Sequence, residues 1–174
     1  MRRDARNAPD PEIRLAGPGD GGGLAALVRA FRDHLGATTP SDRELAERLP
    51  EALADPSLEF ACAWLEDRAV GYTQTRFFAS LWTPGGEAVL EDLFVLAELR
   101  GRGVGRLLLR HALQRARERG ATRLGLTTNE RNVLINYLGG PGATLDVLND
   151  VELRERKLGG LFTLVLQSPV YQTH

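Results

Sequence analysis

The sequence predicts one α/β domain, in which a mixed β-sheet carries helices on both faces. The length of 174 residues suits a single compact domain. Strand-like segments both precede and follow an amphipathic helix, and this helix begins with a glycine-rich loop. Residues 1–11 combine charged residues with two prolines, so we expect a flexible leader there and one domain over residues 12–174.

The first part of the chain is predicted to form a strand and two helices. The strand covers residues 13–16 and ends at a glycine-rich turn over residues 17–23. Apolar residues then recur at helical spacing as far as Leu35. Ser41 and Glu44 have the spacing of a capping box, which indicates that a second helix begins there.

The rest of the chain is dominated by strand signals separated by turns. Strands are expected over residues 60–65, 69–78, 88–96, 124–128 and 161–166. The amphipathic helix ends at Gly120, between the third and fourth of these strands, and a short helix is expected over residues 130–138. Gly105, Leu109, Ala112, Leu113 and Ala116 fall on one face of the amphipathic helix, which suits packing on a sheet.

Composition excludes several classes of protein. The net charge of -1 gives no reason to expect nucleic acid or an anionic membrane as a partner. The single cysteine, Cys62, excludes an internal disulfide, and its apolar neighbours predict a core residue. His34, His111 and His174 lack metal-ligand spacing, so no metal site is expected. We see no secretory signal or membrane-spanning run and expect a cytoplasmic protein.

The glycine-rich loop is the most informative segment. Gly101, Gly103 and Gly105 alternate with other residues immediately before the amphipathic helix. Such a loop presents successive backbone N–H groups at the positive end of a helix dipole, and this arrangement binds phosphate oxygens. The Gly-Lys-Ser/Thr triplet of a Walker loop is absent, and Arg106 stands where the dinucleotide fingerprint needs a glycine.

The loop and its surroundings resemble the GNAT superfamily of N-acetyltransferases. Arg100, Gly103 and Gly105 match the family's Arg/Gln-x-x-Gly-x-Gly/Ala motif, and residues 90–95 resemble its preceding strand. Residues 70–74 resemble the strand before that one. The resemblance extends to Gly142 and Ala143 and so covers residues 60–143. It implies a mostly antiparallel sheet of about seven strands, in which acetyl-CoA fills a wedge between two splayed parallel strands.

The resemblance also implies which residues bind acetyl-CoA. The backbones of Leu93, Phe94 and Val95 are expected to pair with the pantetheine arm. The pyrophosphate is expected on the loop, which consists of Arg100, Gly101, Arg102, Gly103, Val104, Gly105 and Arg106. A side-chain amide from Asn129 or Asn132 is expected to contact the pantetheine. The amide of Phe94 or Leu93 is the expected donor to the oxyanion.

Direct transfer to an amine needs a base and an acid besides the activated thioester. Glu91 is the first candidate for the base, since polyamine acetyltransferases of the family place a glutamate there, and Asp92 is the second. Strand alternation would put Glu91 on one face of the strand with Leu93 and Val95. It would put Asp92 on the opposite face with Leu90 and Phe94. Alternatively, either acid pairs with an arginine. Tyr137 resembles the family's thiolate-protonating tyrosine, although it precedes the Gly-Ala pair by five residues instead of four.

Three alternatives stay open beside acetyl transfer to a small-molecule or peptide amine. The chain could be a catalytically silent acyl-CoA sensor, a transferase for a longer acyl group, or a phosphate-binding module unrelated to CoA. The segments expected to bind the acceptor amine carry no motif that would identify it. Phe77, Phe78 and Trp82 are candidates for a substrate wall, a hydrophobic anchor or the contact of a homodimer.

Overall fold

A seven-stranded mixed sheet forms the centre of the molecule. The computed structural model describes residues 10–82, 84–127, 151–158 and 161–166. The strands are β1 (Glu12–Leu15), β2 (Leu58–Leu65), β3 (Arg68–Phe78), β4 (Glu87–Val95), β5 (Arg123–Thr127), β6 (Val151–Leu158) and β7 (Leu161–Leu166). Their order is β1-β2-β3-β4-β5-β7-β6, with β4 and β5 parallel and every other pair antiparallel. The predicted fold class is confirmed.

In the described residues, three α-helices cover the sheet. They are α1 (Gly21–His34), α2 (Asp42–Ala54) and α3 (Val104–Glu118). The predicted capping box is present at the start of α2, where the Ser41 hydroxyl accepts from the Glu44 N–H and a Glu44 oxygen accepts from the Ser41 N–H. In the part of the chain that the structure describes, no helix is long and apolar enough to cross a membrane.

The helix α3 packs on one face of the sheet and forms a dry core with β4 and β5. Its buried residues include all five that the sequence placed on one face, together with Val104 and Leu108. Ala88 and Leu90 of β4 and Leu124 of β5 lie beneath α3 and are almost completely buried. This face of the sheet is therefore held together by aliphatic packing.

The opposite face carries α1 and α2 and a more aromatic core. Leu24 and Leu27 of α1 pack on Phe60, Cys62, Tyr72 and Phe94 of the sheet. Cys62 is a buried core residue, as predicted, and burial raises the pKa of its thiol to about 12. Tyr72 is also completely buried, so its hydroxyl must find a hydrogen-bond partner inside this face.

The structure differs from the sequence prediction at two elements. The glycine-rich turn predicted over residues 17–23 is wrong in part, because α1 already begins at Gly21. Gly23 has a packing reason to be glycine there, since an added Cβ would lie 3.0 Å from the Trp64 ring. The strand β6 was not predicted. Most of the leader, residues 1–9, and the helix predicted over residues 130–138 lie outside the described residues.

Candidate functional site

The strand β4 contains a β-bulge at the position of its two acids. Gln74 of β3 pairs with Asp92, and the next residue, Thr75, pairs with Leu90, so Glu91 is the extra residue of the bulge. The extra residue reverses the alternation of β4. As a result, Leu90 lies on the α3 face and Phe94 on the α1 face, and the predicted placement of Asp92 with both of them is wrong.

Glu91 is held by side chains of the neighbouring strand. Its carboxylate accepts from Arg76 Nε at 2.6 Å and from Arg76 Nη2 at 3.3 Å, which makes the ion pair bidentate. It also accepts from Gln74 Nε2 at 2.5 Å. Glu91 therefore lies on the same face of the sheet as Gln74 and Arg76, and the Arg76 guanidinium balances its charge. This is the pairing with an arginine that the sequence left open as the alternative role.

Asp92 lies in a different environment from its neighbour. The Tyr72 hydroxyl donates to its Oδ2 at 3.2 Å, across the β3–β4 ladder. Burial raises the pKa of the Asp92 carboxyl above its usual value; the Tyr72 hydrogen bond opposes this effect, and the Glu91 carboxylate adds to it. A partly buried carboxyl with a raised pKa is suited to accepting a proton near neutral pH.

Among the described residues, no strand pairs with the edge of residues 91–95 of β4 that faces away from β3, and we call this edge the open edge. The parallel ladder with β5 ends at the pair Leu90–Leu126, whereas β4 continues to Val95. Leu96 donates its N–H to the Val70 carbonyl of β3. Because backbone groups alternate along an antiparallel strand, the N–H and C=O groups of Leu93 and Val95 point away from β3. They face the gap where β5 leaves β4.

The glycine-rich loop presents its amides beside this gap. Gly101 and Gly103 have φ angles of 75° and 84°, in the left-handed region that favours glycine. Gly103 is the N-cap of α3, and an added Cβ at either glycine would meet no atom of the described residues within 4 Å. The amides of Val104 and Gly105 lie in the first turn of α3, where no carbonyl inside the helix can accept from them. The loop is therefore open to an anion at the start of a helix.

Arg100 joins the open edge to the loop. A short 3-10 turn, Ala97–Leu99, folds the chain back, and the buried Leu99 anchors this turn in the core under α3. Arg100 Nε then donates to the Val95 carbonyl at 3.0 Å. Its guanidinium lies 5.6 Å from the centre of the Phe94 ring. The side chain therefore contacts the end of β4.

An aromatic cluster surrounds the same end of β4. Phe94 lies within 5.4 to 6.4 Å of the rings of Phe31, His34 and Tyr72, measured between centroids. His34, at the end of α1, is exposed and borders this cluster. No group of three or more metal-ligating side chains occurs among the described residues. The cluster closes the α1 side of the site with apolar surface.

The structure brings together some of the predicted site residues and says nothing of others. Glu91, Asp92, Leu93, Phe94, Val95 and the loop of residues 100–106 lie along one end of β4 and the start of α3. Asn129, Asn132 and Tyr137 lie outside the described residues. Trp82 is 93% exposed in the β3–β4 connection, whereas Phe77 packs against the core under α3.

Sequence reasoning missed the three side chains of β3 that contact the acids. Tyr72, Gln74 and Arg76 occupy alternate positions of one strand and share one face. A polar stripe of this kind along a central strand was a signal that could have identified them. Its partners could not be identified, because the bulge that aligns Glu91 with Arg76 has no sequence signature.

Comparison with known proteins agrees with this geometry. The model of the Acetyltransferase (GNAT) family matches residues 25–135, which is more than half of the chain. The chain belongs to the GNAT acetyltransferase family. The match includes the open edge of β4, the glycine-rich loop and α3. The expected GNAT fold is confirmed.

Individual GNAT relatives match a large part of this chain. Mycothiol acetyltransferase of Rhodococcus jostii (strain RHA1) is 38% identical over 116 residues, which are 64% of this chain and 34% of that protein. The chain thus spans about a third of the length of the curated relative it matches. A solved structure from Arthrobacter sp. FB24, assigned as an acetyltransferase, is 29% identical with a TM-score of 0.62, over 75% of this chain and 81% of its own.

A more distant GNAT structure shows how widely the fold is shared. An aminoglycoside acetyltransferase from an uncultured soil metagenomic sample, solved in complex with sisomicin, has a TM-score of 0.65. The alignment covers 85% of this chain and 96% of that one at 17% identity. This likeness concerns the fold alone.

Proposed function

We propose that this GNAT chain moves the acetyl group of acetyl-CoA directly onto a primary amine, with both substrates bound together. One observation carries the proposal: the open edge of β4 leads through a short 3-10 turn into a glycine-rich loop that ends at the start of α3, where the first backbone amides have no acceptor inside the helix. A ligand with an amide-rich arm and a pyrophosphate fits these two features side by side. Acetyl-CoA has both and supplies an activated thioester.

The loop and the strand edge would hold the two ends of the cofactor. We propose that the backbone amides of residues 101–106 bind the pyrophosphate oxygens, with the α3 dipole adding to the attraction. Leu93 and Val95 would pair with the pantetheine arm. The alternation of β4 favours the Leu93 amide over the Phe94 amide as the oxyanion donor, because the Phe94 N–H faces β3.

We propose Asp92 as the group that accepts the amine proton. Its support is its raised pKa and its buried hydrogen bond with Tyr72, whereas Glu91 is neutralised by Arg76. The proposal therefore reverses the order in which the sequence ranked the two acids. Tyr137 stays our proposed proton donor to the departing thiolate.

A small-molecule amine is the acceptor that we propose. The name of the Rhodococcus relative points to a small molecule, and around the bulge of β4 carboxylates outnumber guanidinium groups. Asp55, at the end of α2, lies close enough to Arg76 to affect its pKa, and Glu91 and Asp92 follow on β4. Three carboxylates against one guanidinium would attract a cationic amine.

The test is an assay of free thiol with saturating acetyl-CoA and a panel of small amines. Detection with a thiol reagent is practicable, since Cys62, the single cysteine of the chain, is buried and burial raises the pKa of its thiol. We expect acetyl-CoA to raise the melting temperature and at least one amine to release CoA. Binding without release would support a silent sensor, and preference for longer acyl-CoAs a different transferase. Absence of any thermal shift would contradict the whole proposal.

A further inference from the structure

Arg100, the first residue of the glycine-rich loop, contacts the end of β4. Arg100 lies at the surface, but its Nε atom donates to the Val95 carbonyl at 3.0 Å. Val95 is one of the two residues of the open edge whose backbone groups point away from β3. The hydrogen bond therefore fixes the direction of a carbonyl that lines the gap.

The donating atom is informative, because it is Nε and not a terminal nitrogen of the guanidinium. In arginine, Nε is bonded to Cδ, and in glutamine Nε2 is bonded to Cδ as well. A glutamine at position 100 can place an N–H donor at the same distance along the side chain. In lysine the atom bonded to Cδ is a carbon, and the nitrogen lies one bond further out.

We propose that Arg100 is a positioning residue for the cofactor strand: its Nε–H fixes the Val95 carbonyl, and its positive charge is not required. The motif accepts arginine or glutamine at this position, and these two side chains share a donor on Cδ but differ in charge. The guanidinium also lies over the Phe94 ring, 5.6 Å from its centroid, which helps to orient the side chain at the same point. Arg100 thus holds the open edge of β4 in the geometry that the pantetheine arm meets.

A set of substitutions separates positioning from phosphate binding. Arg100→Gln keeps a donor on Cδ and loses the charge, Arg100→Lys keeps the charge and moves the donor one bond further out, and Arg100→Met loses both at similar length. Positioning predicts that the Gln variant binds acetyl-CoA within about twofold of the wild type. The Lys and Met variants should bind about tenfold more weakly, because the hydrogen bond to the Val95 carbonyl is no longer made in this geometry.

The ligand arm of the experiment rests on the proposed function and uses two ligands, acetyl-CoA and S-acetylpantetheine, which lacks every phosphate. Positioning predicts the same relative losses for both ligands, since the strand edge serves the arm they share. A phosphate-binding role for the Arg100 charge predicts losses for acetyl-CoA alone, with Lys close to the wild type and Gln impaired. That second pattern would overturn the inference.

A second readout uses the free protein and does not depend on any ligand. Hydrogen exchange of the peptide covering residues 91–96 should be faster in the Lys and Met variants, and unchanged in the Gln variant. If the wild type binds neither ligand, the proposed function fails, and the exchange data still decide the role of Arg100. Equal exchange in all four proteins would contradict it.

Discussion

The two halves of β4 belong to one continuous strand but have different surroundings. Residues 87–90 pair with β3 on one side and β5 on the other, and Ala88 and Leu90 are buried under α3. Residues 91–95 begin with a bulge, lose the partner β5 and carry two acids. The comparison shows how one strand can be structural over half its length and become a binding edge where its neighbour departs.

The largest effect is expected from Asp92, in the open half. Asp92→Asn removes the proposed proton acceptor, and we expect kcat to fall about a hundredfold or more. Glu91→Gln is the matched control one residue away, and it should cost far less, because Glu91 already pairs with Arg76. Steady-state kinetics with a reactive amine measure both. A greater loss in the Glu91 variant would show that the wrong acid was chosen.

The pH dependence of stability offers an independent check on Asp92. Because burial raises its pKa in the folded state, the native protein binds more protons here than the unfolded chain does. The contribution of Asp92 to stability therefore declines as the pH rises from its unfolded pKa through its raised folded pKa. At pH 7 the Asn variant should melt at a higher temperature than the wild type. A lower melting temperature at pH 7 would contradict the assigned cause.

A substitution in the core beside the paired half of β4 should lower the free energy of unfolding and leave activity near the wild-type level. Leu124 of β5 pairs with Ala88 and is completely buried. Leu124→Ala should reduce the free energy of unfolding by about 3 kcal/mol, because it leaves a cavity in the core under α3. Denaturant unfolding measures this loss, and kcat and KM of the folded variant should stay near the wild-type values. A large change in KM would remove the functional distinction between the two halves.

A smaller effect is expected in the loop beside the open half. Gly103→Ala forces a left-handed φ on a residue with a Cβ and should raise the KM for acetyl-CoA about fivefold. Gly36→Ala is the control, since Gly36 has a φ of 67° and likewise open space around its Cβ. Both variants should lose about 1 kcal/mol of stability. Equal KM values for the two variants would argue against the loop as the phosphate site.

The sequence predicted those features that depend on local pattern. The glycine-rich loop, the buried face of α3 and the capping box at Ser41 each lie within a few consecutive residues, and the structure contains all three. The strand β6 was missed because its eight residues VELRERKL include five charged ones, which obscures any alternation. Pairing with β7 makes this segment a strand, although its composition does not indicate one.

The contacts of the acids could not be predicted, because they depend on partners distant in sequence. Tyr72 and Asp92 are 20 positions apart, and Gln74 and Glu91 are 17 apart. Their meeting is set by the register of β3 against β4, and the bulge shifts this register by one residue. Without the bulge, period-two alternation would place Glu91 and Gln74 on opposite faces of the sheet. The bulge brings them together, and for this reason the ranking of the two acids as the base changed once the strands were paired.

Hydrogen exchange with and without acetyl-CoA tests the central claim most directly. The account predicts that the cofactor slows amide exchange in residues 93–95 and 101–106 and leaves residues 87–90, which are already paired on both sides, unchanged. Acetyl-CoA that binds while protecting neither the open half of β4 nor the glycine-rich loop would contradict it.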